Sequence, residues 1–177
     1  MRFYAERTYL MGTFDIEIKD SQGNCCYKLV NQGKVGYNYG LYDVGGNKLA
    51  NVKQHIAFSF KNRFDVDMDG KKVEIVFTHK FKINGEAYCK FTGLDLSTEG
   101  DIHHHDYSLK DDSGIVAHVR LIDYEKPDMS DLIGTIKNAM NTPLEIDLRD
   151  DADTPLVLAL VFAIELAEKC DGSRYSG

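Results

Sequence analysis

Side chains able to do chemistry gather in four short stretches. Asp65-Val-Asp67-Met-Asp69-Gly70 places three carboxylates at alternate positions before a glycine. That is the first half of a calcium loop, in which spaced carboxylates supply hard oxygen ligands and glycine makes the turn. The second half fails. The twelfth position is Val76 where a bidentate Glu is required, Glu74 comes two residues early, and the flanks read as strands. Alternation along a strand is also expected to split the carboxylates, so an acidic hairpin tip is the plainer reading. The second stretch is His103-His104-His105. On a strand, His103 and His105 would share a face, His118 would come from the paired strand, and three imidazoles suit zinc. The triplet lacks a fixed acid beside it, and consecutive histidines also suit a solvated strand start.

The third stretch carries Lys80, Lys82 and Lys90. Lys80 and Lys82 share a strand face, and Lys90 lies across the Asn84-Gly85 turn. Such a group would attract an anionic lipid headgroup, at a few tenths to about 1 kcal/mol per charge near a membrane. The plainer reading is a soluble edge strand blunted by lysines. The fourth is Glu165, set into an apolar run. A buried carboxylate needs a partner or stays protonated, and here it is expected to mark the mouth of an enclosed helix. Nucleophilic catalysis has little support. The sequence holds no G-x-S-x-G elbow, no cysteine in a catalytic setting, and Gly36-Tyr-Asn-Tyr-Gly40 is neither a P-loop nor a dinucleotide fingerprint. No cofactor is expected.

These residues need elements to hold them. Leu156–Ala167 carries nine uninterrupted apolar residues before Glu165. At helical spacing they point in every direction, and a helix that is apolar all round must be enclosed. Thr154 is expected to cap it, with Pro155 at the first helical position and Asp151 and Asp153 beside the positive dipole end. Glu168 and Lys169 are expected to bring it into water just past Glu165, giving a helix over 154–169. Upstream, four segments share the form strand, Asp-x-x-Gly, strand, at Asp20–Gly23, Asp43–Gly46, Asp67–Gly70 and Asp111–Gly114. Aspartate favours turn initiation through a bond to its own backbone, and glycine accepts positive φ without steric cost. Further strands are predicted at Lys80–Ile83, Ala87–Phe91, Leu94–Leu96 and Leu144–Leu148, and a short helix from Asp128 or Ser130 to Met140. About a dozen strands in one sheet would close to remove exposed edges, and closing around the apolar helix satisfies both demands.

The chain has 177 residues, 43% of them apolar, enough for one globular domain with a substantial core. We expect that domain over 1–172 and a flexible tail over 173–177. The apolar run is too short to span a bilayer, and Glu6 and Arg7 interrupt any signal sequence. Cys25, Cys26, Cys89 and Cys170 have neither zinc nor redox spacing, which suits reduced thiols in the cytoplasm. The net charge of -7 argues against nucleic-acid binding. It is uneven, with seven Lys/Arg against five Asp/Glu from Lys61 to Lys90 and four against twelve from Leu121 to Asp171.

Repeated Asp-x-x-Gly hairpins, followed by an acidic loop and a helix such as LVLALVFAIE, resemble the LURP-one-related proteins of the tubby C-terminal-like superfamily. The residues that carry the likeness are Ile16–Gly23, Tyr39–Gln54, Tyr107–Val119 and Glu145–Glu165. The resemblance implies a closed antiparallel barrel of about twelve strands threaded by the C-terminal helix, with Met129–Met140 as an insertion. Tubby itself binds phosphoinositides through a basic pocket, and no motif here carries that site over.

A mainly β domain whose helix fills its barrel leaves little room for a deep pocket. The expected function is therefore a non-catalytic cytoplasmic binding or scaffold protein, recognising an anionic phospholipid headgroup or a protein partner. The alternatives are a metal-dependent hydrolase built on the histidine-rich strand and a purely structural interaction domain.

Overall fold

The apolar run becomes the axis of the molecule. A computed structural model describes residues 1–7, 15–33, 36–55, 62–79, 87–122 and 143–172. Its helix, α1 (Thr154–Gly172), is buried at every residue from Leu156 to Ala167. Burying each large side chain contributes roughly 1.5–3 kcal/mol, and no face of this helix could be left wet without forfeiting part of that.

Twelve strands surround it: β1 (Arg2–Arg7), β2 (Ile16–Asp20), β3 (Cys25–Asn31), β4 (Asn38–Asp43), β5 (Lys48–Gln54), β6 (Arg63–Met68), β7 (Lys71–His79), β8 (Ala87–Thr92), β9 (Ser97–Asp101), β10 (Asp106–Asp111), β11 (Gly114–Leu121) and β12 (Leu144–Leu148). Each pairs antiparallel with its sequence neighbours, and β1 pairs with β12, opposing Arg2 to Asp147 and Ala5 to Leu144, to close the barrel. Closure removes every edge. Alternation does the rest: Phe64, Val66 and Met68 of β6 face the helix while Arg63, Asp65 and Asp67 face out.

In such an up-and-down barrel successive connections alternate between two ends. The β2–β3, β4–β5, β6–β7 and β10–β11 turns, the four Asp-x-x-Gly segments, therefore share one end with the start of α1. We term this the proximal end and the other, where α1 finishes, the distal end. The four turns are of two kinds. In Asp20-Ser-Gln-Gly-Asn24 and Asp43-Val-Gly-Gly-Asn47 the aspartate accepts from the asparagine backbone N–H (2.9 and 2.8 Å) and from its side-chain Nδ2 (3.0 and 2.9 Å). These hydrogen bonds, the asparagine side chain's foremost, hold both carboxyls below the usual carboxylate range. The other two are two-residue hairpins. Asp69 and Gly70 both take positive φ (51° and 77°) between the paired Met68 and Lys71, and Asp112-Ser113 joins the paired Asp111 and Gly114.

Four expectations need correction. The N-cap is Asp153, not Thr154: its Oδ1 accepts from the Leu156 N–H (3.3 Å) and its carbonyl from the Val157 N–H (2.9 Å). The helix stays enclosed past Glu165, through Ala167, and continues to Gly172. The strand expected at Leu94–Leu96 falls instead at Ser97–Asp101, which lacks apolar alternation. It is a strand because five residues pair with β10. There Gly100, at φ 110°, lies so close that a Cβ would sit 2.6 Å from the Asp106 carbonyl oxygen. Finally, Asp65 and Asp67 share the outer face of β6, because residues two apart on a strand point the same way. The helix expected up to Met140, the Asn84-Gly85 turn, the strand at Lys80–Ile83 and the tail 173–177 lie outside the described residues. Among those described, no helix is long and apolar enough to cross a membrane.

A guanidinium clasps the proximal end. Arg149 donates to both Asp111 oxygens (3.0 and 2.7 Å) and to Asp151 (2.6 Å). The Arg149 hydrogen bonds hold the Asp111 carboxyl at about 2, from an ordinary 3.8. Its contribution to stability is thus present above the ordinary value and lost as pH falls towards 2. Asp111→Asn is expected to melt below the parent at pH 7, with the difference closing between about pH 4 and pH 2 in a thermal-melt series. Leu160→Ala, at a fully buried position on α1, should cost about 2–5 kcal/mol in urea unfolding. Ala159→Leu should cost about 1–3 kcal/mol by overfilling the same layer.

Candidate functional site

Polar groups enter the barrel at its distal end, and they converge on Glu165. This carboxylate is only 8% exposed. Burial of a charge in an apolar wall is costly without partners, and the fold supplies one to each oxygen. The Tyr107 hydroxyl reaches Oε1 at 3.1 Å, and His105 Nδ1 lies 2.8 Å from Oε2. Tyr107 is an inward residue of β10. His105 ends the β9–β10 turn at φ 53°, a left-handed conformation that His accepts better than most side chains. Just under one turn along α1, Glu168 faces His103 of the same β9–β10 turn at 3.5 Å, and the His103 ring meets the edge of Phe77 at 6.0 Å. The Asn62 amide donates to the Ala167 carbonyl at 3.2 Å, and Gln54 donates to Cys170 Sγ at 3.3 Å. The end of α1 is therefore tied to the wall by side chains from β5, from the residue before β6, and from the β9–β10 hairpin.

Cys89 lies beneath this group. Burial, reinforced by the Glu165 carboxylate, pushes its thiol well above the ordinary range, which leaves it protonated and unreactive. On β4, burial drives the Tyr39 phenol up to about 12, and Tyr37 stacks on its ring at 6.3 Å.

The candidate metal residues are distributed otherwise than their spacing suggested. The histidine triplet occupies a turn, not a strand face. His103 and His105 do point the same way, towards α1, but His104 turns out to Asp101 (2.6 Å) and His118 lies on the outside of β11 against Asp106 (3.2 Å). His118 is thus on the other side of the wall from His105, because β11 directs Ala117 and Val119 inward. Asp65 is held from outside by His55 and Lys72, each at 2.7 Å. Burial raises its carboxyl, and these two hydrogen bonds outweigh burial and set it below the ordinary value. Asp67 is exposed opposite Lys72, and Asp69 sits at the hairpin tip. Among the described residues no three His, Cys, Asp or Glu side chains gather in a way that would hold a metal ion.

Of the lysine group, Lys80 and Lys82 lie outside the described residues. Lys90 projects from the outer face of β8, its ammonium 5.8 Å from the Tyr88 ring centre. Across the wall it lies in register with Val76 of β7, and Val76 with Arg63 of β6. Arg63 is engaged by Glu74 at 3.3 Å. Sequence reasoning picked out Glu165 and the histidines separately. It missed their pairing, since Tyr107 and Glu165 are 58 residues apart and no local pattern links them.

Residues 1–165 match the family model described as LURP-one-related. An X-ray structure of a protein from Arabidopsis thaliana superposes with a TM-score of 0.55 over 93% of this chain and 89% of the other, at 11% identity. That likeness shows the fold. No curated protein matches the chain.

Glu165→Ala takes the carboxylate away from the Tyr107 hydroxyl and the His105 ring, at about 1–3 kcal/mol for each buried group left without it. Glu165→Gln keeps an acceptor for Tyr107 and should lose less. Urea unfolding of the two variants and of Tyr107→Phe, expected near 1 kcal/mol, checks the order.

Proposed function

We propose a function from one premise: the chain belongs to the LURP-one-related family. It is a non-catalytic cytoplasmic binding domain that meets its partner on the outside of the barrel. The filled interior supports this reading. Where other barrels hold a small ligand, this one holds its own helix, buried from Leu156 to Ala167. The buried Glu165 group then serves to fix α1, not to face a substrate.

The partner class that suits the outer wall is an anionic phospholipid headgroup. Lys90 and Tyr88 present a cation and an amphipathic ring side by side on β8, the pairing that favours the headgroup level of a membrane. Lys80 and Lys82 belong to the same proposal. A protein partner is the second reading, and the acidic proximal end favours it. A metal-dependent hydrolase has less support, because each described histidine of the triplet, and His118, sits on its own carboxylate.

The test is sedimentation with vesicles of phosphatidylcholine alone, with phosphatidylserine, or with a phosphoinositide. The expected result is binding to the anionic vesicles only, weakening with salt. In Lys80→Glu/Lys82→Glu/Lys90→Glu it should fall at least about tenfold, since each charge near the surface is worth about 1 kcal/mol. No binding by the parent protein rejects the lipid reading.

A further inference from the structure

Closure is not equally firm all round the barrel. Among the described residues every other pair of neighbouring strands is held in register over four to six residues, and β8 and β9 over one, Lys90 opposite Ser97. The hydrogen bonds show why this ladder stops. The Phe77 N–H goes to the carbonyl of Asn62, just before β6. Cys89 lies opposite Phe77, so by antiparallel alternation it turns its own N–H and carbonyl the other way, towards β9. There the N–H meets the Thr98 hydroxyl at 2.9 Å, a side chain standing where a main-chain carbonyl would continue the ladder. The next rung would set Ala87 against Gly100, and among the described residues the two strands no longer pair there.

β9 also has little apolar hold on the molecule. Thr98 is half-buried, and Ser97, Glu99, Gly100 and Asp101 are exposed. Apolar anchors stand at its two ends: Leu96, half-buried against the core, and Ile102, fully buried. Between them β9 is kept in place from the β10 side, by five residues in register and by the Lys110–Glu99 ion pair. A strand that buries no large apolar side chain forfeits little by leaving a neighbour, and segments of that kind open well below the free energy of global unfolding. Behind the weak seam lies the Cys89 side chain, buried and close enough to Glu165 to feel its charge.

We propose that β9 is a strap: it parts from β8 while staying on β10, and the barrel opens at this seam before any other, baring Cys89 and the way to the Glu165 group. The test is iodoacetamide labelling of the full chain at mildly alkaline pH without denaturant, with peptide masses reading Cys89 apart from the half-exposed Cys25, Cys26 and Cys170. Slow labelling of Cys89 is expected, at a rate nearly independent of urea below the unfolding transition, because a local opening exposes little surface. Thr98→Val removes the hydroxyl that receives the Cys89 N–H and should label about fivefold faster, whereas Thr98→Ser keeps it and should label at the parent rate. Leu29→Ala, at a fully buried position on β3 across the barrel, lowers global stability. Labelling through the strap stays at the parent rate in that variant, and labelling through global unfolding would rise about 30-fold or more. No labelling of Cys89 in the absence of urea, a rate that climbs with urea as steeply as global unfolding does, or a parent rate in Thr98→Val would overturn the proposal. The urea dependence is read on the parent protein, so the test does not depend on any variant folding.

Discussion

A helix with apolar side chains on every side has no stable place at a surface. From Leu156 to Ile164 no residue offers water a hydrogen bond, and α1 is enclosed on all sides as a result. A single sheet must curl fully round to achieve that enclosure, and the same closure disposes of its edges. The twelve-strand order, the inward alternation of strands such as β6 and the filling of the interior by α1 follow from that one requirement.

Enclosure creates its own difficulty where the helix leaves. Glu165 falls on the last enclosed turn, where a carboxylate has lost water but still needs hydrogen bonds. The β9–β10 hairpin answers it with the Tyr107 hydroxyl and the His105 ring, and adds His103 against Glu168. His103 and His105 are thereby committed to holding the helix. At the proximal end the matching problem is the positive end of the helix and its unpaired N–H groups. Asp153 caps them, and the four aspartate turns gather around the same end. The two rims therefore differ in kind, one lined with inward-facing pairs and the other with outward-facing carboxylates.

Fold and site were not equally legible. The hairpins were, because Asp-x-x-Gly is local chemistry, repeated four times, and each instance makes its turn. β9 was not, since Ser97–Asp101 has no apolar period and becomes a strand only through its ladder with β10 and the close approach of Gly100. Thr154 looked the better cap by composition, yet Asp153 takes the role because its backbone already provides the first helical acceptor. His103, His105 and His118 looked like one cluster by spacing. The chain reverses at the triplet instead of running straight, and this puts His118 on the outside of the wall.

Composition and periodicity by themselves determined that α1 exists, that it is enclosed, and that antiparallel hairpins enclose it, because burial of apolar area and turn geometry are properties of neighbouring residues. Only the tertiary structure decided which groups meet. That Glu165 lies against Tyr107 and His105, and that Arg149 reaches Asp111, are consequences of barrel closure. Closure sets distant residues side by side through strand order and register, and neither quantity is written in any local stretch of the chain.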